Sequence, residues 1–189
     1  NRALRDDRRT RARRCTYGEH RSRPRAGGVR LVMRTIPYSY RSDPSVPSFD
    51  DSAPLLIFDG DCVLCSAGVQ WMLGRDPAGK TRFAAIQQAI PRALYAHYRL
   101  DAERFDTFMV LKDGRPHVRW AGLLAAARTL PAPWSWLGAA GRLVPGFIGD
   151  ALYDVVQRNR IGWFGRRDAC FAPSEVQRRR FLVEAVALT

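Results

Sequence analysis

Cys62 and Cys65 stand three positions apart at the end of the run Leu55-Leu56-Ile57-Phe58-Asp59-Gly60-Asp61-Cys62-Val63-Leu64-Cys65. Two thiols at this spacing can pass between dithiol and disulfide, or they can supply half of a tetrahedral metal site. Redox exchange needs one of them as a thiolate, because the anion is the form that attacks a disulfide. Asp59 and Asp61 lie just before Cys62 and act on it in two opposed ways. Their negative charge disfavours a nearby thiolate, whereas a carboxylate can also accept the proton of the second, resolving thiol. The residues alone leave both effects standing.

The elements around the pair decide what it can do. Leu55 to Phe58 is a short apolar run that reads as a buried strand, and Gly60 breaks it. Ser66 to Leu73 has no charge and no proline, and Cys62, Cys65, Val69 and Met72 fall on one face of a helix. The cysteines therefore occupy the first turn, where unpaired N–H groups and the positive end of the helix dipole favour an anion. Cys62 reads as the more accessible, nucleophilic thiol and Cys65 as the thiol that closes on it. A zinc site needs four ligands, and only Cys170, His97 and His117 remain to supply them, none in a paired motif. Redox work is the expectation, with no metal and no cofactor; His97 and His117 read as structural or solvent-facing.

This stretch resembles the DCC family of thiol-disulfide oxidoreductases, named for an Asp-x-x-Cys-x-x-Cys motif that runs here from Asp59 to Cys65. The likeness continues through Gln70, Arg75-Asp76, Arg82-Phe83 and Gln87. It resumes at Tyr153-Asp154, Asn159-Arg160, Trp163-Phe164-Gly165-Arg166, Cys170 and Pro173, and spans roughly Pro54 to Leu182. The resemblance implies a thioredoxin-like fold, a catalytic set of Cys62, Cys65 and Asp59, and a disulfide-containing protein or small thiol as substrate. One departure from the wider thioredoxin pattern is that Glu103 to Asp106, ahead of the third strand, holds no proline. Cys170 matches the family's C-terminal cysteine and reads as a buried small residue before a helix rather than a third redox thiol.

Two rival readings come from other classes. Leu55 to Asp61 also resembles the first motif of haloacid-dehalogenase-type phosphatases, with Asp59 as nucleophile, Asp61 as acid/base, and Asp150 with Asp154 as the magnesium-holding motif. Against it, Cys62 and Val63 stand where those enzymes usually carry Gly and Thr, and Lys112 is the one candidate for their lysine. Asp150 reads instead as an N-cap to a helix carrying Leu152, Val155 and Val156. The other rival is a non-catalytic interaction domain that keeps its cysteines as core residues.

The remaining pattern is α/β. Thr81–Ala85 reads as a strand, Gln88–Tyr98 as a helix with Pro91 in its first turn, and Asp106–Leu111 with Arg115–Trp120 as a hairpin about Asp113-Gly114. With Gly122–Leu130 as a helix, the order is β-α-β-α-β-β-α, a thioredoxin-like core with a helical C-terminal extension. The Cys-x-x-Cys helix is expected to start at the edge of a sheet of about four strands. The aromatic-rich stretch Pro131–Gly149 reads as short elements packed into the core. Ala151–Arg158 reads as a helix, and Ile161–Arg167 as a loop. Arg160, Arg166 and Arg167 around Trp163 could form an anion site or stack on the indole, and read first as a solvated basic loop. Ser174 to Gln177 forms a capping box opening a last helix through Ala187.

Charge divides the chain. The net charge is +13 over 189 residues; residues 1–48 hold 13 arginines against 4 acidic residues, and residues 49–189 hold 18 basic against 14 acidic. Residues 1–53 read as a disordered basic extension, and 54–189 as the folded domain. The extension, in which Cys15 is an incidental exposed thiol, reads as a solvated tail or as sequence translated upstream of Met33. The aromatic interleaving of a nucleic-acid arm is nearly absent, so no nucleic-acid partner is expected. Arg128 and Arg142 interrupt the apolar stretch Trp120–Ile148 before it reaches the roughly 18 residues of a membrane span. Few cysteines and no secretory-type leader make a reducing, cytoplasmic setting the expectation.

Overall fold

Leu55–Phe58 forms β1, whose four residues are all buried. In the computed structural model, which describes residues 39–167 and 173–182, β1 pairs in parallel with β2 (Arg82–Ala85) and antiparallel with β3 (Met109–Lys112). β3 pairs with β4 (Arg115–Val118), giving the order β2-β1-β3-β4. A parallel pair requires a crossover, and α1 (Val63–Arg75) supplies it. Helix α2 (Ala89–His97) leads from β2 towards β3. Asp113 and Gly114 turn the hairpin with φ of 51° and 69°, the left-handed pair that matches the twist of the flanking strands.

Apolar layers cover both faces of the sheet. Leu55, Ile57, Met109 and Leu111 pack with Ile90, Leu94 and Tyr95 of α2. Leu56, Phe58, Phe83 and Val110 pack with Val69 and Met72 of α1 and with Ala126 of α3 (Arg119–Thr129). This is the thioredoxin-like α/β core expected from the sequence, and helices follow it. These are α4 (Trp134–Ala140), a 3-10 turn (Gly141–Leu143), α5 (Gly146–Phe164) and α6 (Glu175–Arg178). Helix α5 crosses α3 at Gly149, where a Cβ would fall 2.2 Å from Cγ of Trp120.

The structure corrects several expectations. β1 lies inside the sheet, so α1 leaves from an inner strand rather than from its edge. Residues 39–53 are not a loose tail: Tyr40 and Val46 are buried in the core. The Tyr40 hydroxyl bonds to Asp51, Arg41 pairs with Asp51 at 2.7 Å, and Asp43 meets buried His97 at 2.6 Å. In the opposite sense, Trp136, Leu137, Leu143 and Phe147 are exposed rather than core; of that stretch, Trp134 turns inward, edge-on against Trp71. Helix α5 continues through Phe164, so Arg160 lies on a helix and not in a basic loop. Asp150 sits inside α5 and caps a different helix, accepting from the Trp120 N–H at 3.2 Å.

The final segment also differs. The Ser174 N–H donates to Gln177 at 3.1 Å as the capping box requires, but α6 stops at Arg178. The chain then turns back to β2: Phe83 N–H donates to Arg180 O at 2.9 Å, and Leu182 N–H to Phe83 O at 2.8 Å. Arg180 clamps this return on Asp76 at 2.6 Å. The disorder expected for residues 1–38, with Cys15, and the burial expected for Cys170 lie outside the described residues.

Candidate active site

Beyond β1 the chain must reverse into α1 within four residues, and side chains hold the reversal. Asp61 N–H donates to Asp59 Oδ1 at 3.0 Å and Cys62 N–H to Asp59 O at 3.3 Å, an Asx-type turn. Gln87, just after β2, locks it from the side. Its amide nitrogen donates to Asp59 Oδ1 at 3.1 Å, and its Oε1 accepts from Gly60 N–H at 3.3 Å. The buried Ser66 hydroxyl donates to Gly60 O at 3.3 Å. Cys62 is thereby placed as the N-cap of α1, with φ −84° and ψ 125°.

Both cysteines are free, and Cys62 Sγ accepts the Cys65 backbone N–H at 3.3 Å. The expected exposure is reversed. Cys62 is 0% exposed, while Cys65 is half-buried. The cover comes from the end of α5: Arg166 bridges Cys62 as an antiparallel strand partner. Val63 N–H donates to Gly165 O at 3.4 Å and Arg167 N–H to Asp61 O at 2.8 Å. The segment ahead of β3 holds no proline, and the cis peptide, Ala132–Pro133, lies between α3 and α4.

Acidity and exposure single out different sulfurs. The Cys62 thiol is brought down to about 6, chiefly by the hydrogen bond from the Cys65 thiol, then by the Cys65 N–H and Arg160; burial and Asp59 oppose this. Cys65, as the donor to Cys62, is pushed up, and burial adds to the rise. Acidity decides which sulfur attacks, because only a thiolate does so. Exposure decides how often it can. Cys62 is thus the more acidic thiol of the pair, and its backbone is bridged to Arg166.

Arg160 is the charged group that sequence reading misplaced. It is buried, donates to Phe105 O at 3.1 Å and Gln157 O at 2.9 Å, and lies 3.5 Å from Asp59 Oδ2. Its Nε is buried with no hydrogen-bond partner among the described residues. Gly149, Tyr153 and Arg160 are the buried positions of α5, at intervals of four and seven. That helical spacing was the available signal for an inward Arg160.

The other candidates lie apart. Asp150 bonds at the start of α3, and Asp154 pairs with Arg119 at 3.6 Å and Arg158 at 3.5 Å. Asp59 is engaged by Gln87 and Arg160, and the described residues do not gather it with Asp150 and Asp154 into one cluster. Among the described residues no three His, Cys, Asp or Glu side chains cluster to hold a metal.

Two free cysteines, Cys62 and Cys65, thus lie together at the start of the first helix of a thioredoxin-like sheet. Residues 56–166 match the DCC1-like thiol-disulfide oxidoreductase family, and the chain belongs to that family. It is similar to YuxK, an uncharacterised protein of Bacillus subtilis, with 34% identity over 128 residues, covering 68% of this chain and 93% of that one. It is also similar to a chloroplastic DCC family protein of Arabidopsis thaliana, with 27% identity over 121 residues, covering 64% and 70%. No solved structure matches the chain.

Proposed function

We propose that the chain is a thiol-disulfide oxidoreductase in which Cys62 attacks and Cys65 resolves. The observation that carries this is Cys62 at the N-cap of α1, its sulfur accepting the Cys65 N–H at 3.3 Å. The Cys62 thiolate attacks one sulfur of a substrate disulfide; a mixed disulfide forms and the other substrate sulfur leaves as a thiolate. Once that charge is spent, the hydrogen bond and negative neighbour that raise Cys65 are gone. Cys65 then gives up its proton, which the departed substrate thiolate takes, and attacks the Cys62 sulfur, breaking the mixed disulfide. The substrate leaves as a dithiol, carrying two electrons from the pair, which ends as the Cys62–Cys65 disulfide. The substrate is a disulfide-bearing protein or a small disulfide, and an external thiol restores the dithiol.

Asp59 and Arg160 tune this step in opposite directions. Arg160 favours the Cys62 thiolate and Asp59 disfavours it. The test is disulfide exchange against pH. Thiolate grows with rising pH, so the wild-type rate climbs through about 6 and levels off above. Cys62→Ser abolishes exchange, and Cys65→Ser accumulates the mixed disulfide. Arg160→Met moves the midpoint up and Asp59→Asn moves it down, neither removing exchange. Wild-type protein that exchanges no disulfide would return the chain to the non-catalytic reading. Phosphate release dependent on Asp59 and magnesium would return it to the phosphatases.

A further inference from the structure

The outward side of α5 is apolar along its length. Gly149, Tyr153 and Arg160 turn in and are buried, while Phe147, Leu152, Val155, Val156 and Trp163 turn out, the first two 76% and 60% exposed. At 100° per residue the outward group covers about half the circumference. Two polar residues fall within it: Arg158, near one edge and paired with Asp154 at 3.5 Å, and Asn159, whose amide is turned back to Val155 O at 2.7 Å. Leu143 on the adjoining 3-10 turn is 87% exposed, and Trp136 on α4 is exposed as well. The solvent side of a surface helix is ordinarily polar, and a contiguous apolar patch of this kind marks an interaction site.

The charges around the face are predominantly positive. Residues 131–167 contain five arginines and two aspartates. Asp150 is turned to the Trp120 N–H, and Asp154 is taken by Arg119 and Arg158. Arg142, Arg158 and Arg166 are exposed along the rim. A twofold contact with a second copy would set this patch against itself and bring like charges together. A surface of anionic lipid suits both parts: arginines meet phosphate headgroups, and Trp, Phe and Leu enter the acyl boundary. No helix of the described residues is long and apolar enough to cross a membrane, so α5 would lie on the bilayer.

We propose that the outer face of α5, with the Leu143 turn, docks on a membrane surface bearing anionic lipid. The helix ends at the segment covering Cys62, so docking sets the dithiol beside the bilayer.

The test uses the full chain with vesicles of phosphatidylglycerol and phosphatidylcholine, and with phosphatidylcholine alone. The expected result is sedimentation with the mixed vesicles and a blue shift of tryptophan emission. Phe147→Asp with Leu152→Asp weakens binding about tenfold or more; Arg142→Gln weakens it about fivefold. If the double variant melts early, Leu143→Asp is read instead, with the same loss expected. Wild-type protein that stays in solution overturns the proposal. So does equal binding by the aspartate variants, which would place the attraction in the arginines of residues 1–48. A concentration-dependent dimer that those variants dissolve, with no vesicle binding, would assign the face to a second copy.

Discussion

Residues 39–53 are rich in Ser, Pro and Asp, yet they bury Tyr40 and Val46 against the sheet. Residues 134–156 are rich in Trp, Leu, Phe and Val, yet Trp136, Leu143 and Phe147 stand in solvent. The first segment succeeds because polar bonds fix its path: Asp51 to Tyr40 and Arg41, Asp50 to Arg82, and Asp43 to His97. Tyr40, Phe49 stacked on it and Val46 then suffice to seal it. The second segment packs only its inner side, through Trp134, Gly149 and Tyr153, and no further layer of described residues covers the outside. Composition sets what a segment can bury; the surface opposite it sets what it does bury.

The sharpest way to break this contrast is Tyr40→Ala. The side chain is 6% exposed, so its loss should cost about 3 kcal/mol in urea unfolding, and an unchanged midpoint would return residues 39–53 to a loose tail. A smaller loss is expected for Asp43→Asn, and its pH dependence identifies the cause. Ser45 first, then His97, holds Asp43 at about 2, below its ordinary 3.8. A depressed carboxylate adds stability above 3.8 that disappears as pH falls through about 2. The gap in melting temperature between wild type and variant should therefore be full above pH 3.8 and close towards pH 2. On the other side of the comparison, Phe147→Ser should alter stability by no more than about 0.5 kcal/mol; a large loss would show that the face is packed after all. Deleting residues 1–32 should change neither melting nor thiol reactivity, because Tyr40 and Val46 remain.

What the sequence made legible was local. Leu55–Phe58, the spacing of Val69 and Met72 behind the cysteines, and Asp113-Gly114 each carry their own signal, and each formed as expected. Asp59 and the two cysteines were found by their motif, and the structure brings them together with Gln87. Two features depend on chain brought from far away. Arg160 becomes a buried partner of Asp59 only because α5 packs back across the sheet end. Cys62, wholly buried, gains a strand partner only because residues 165–167 return to it, and no spacing around Cys62 reports that.

The two outer strands carry one more consequence. On β2, Phe83 exchanges backbone bonds with Arg180 and Leu182, the return that Arg180 ties to Asp76. On β4, Pro116 offers no N–H. Unpaired sheet margins template fibrils and domain-swapped aggregates, and here one margin is occupied and the other blunted. The fold is thereby guarded against polymerising strand upon strand. Cutting the chain before Arg180 would lift that guard from β2.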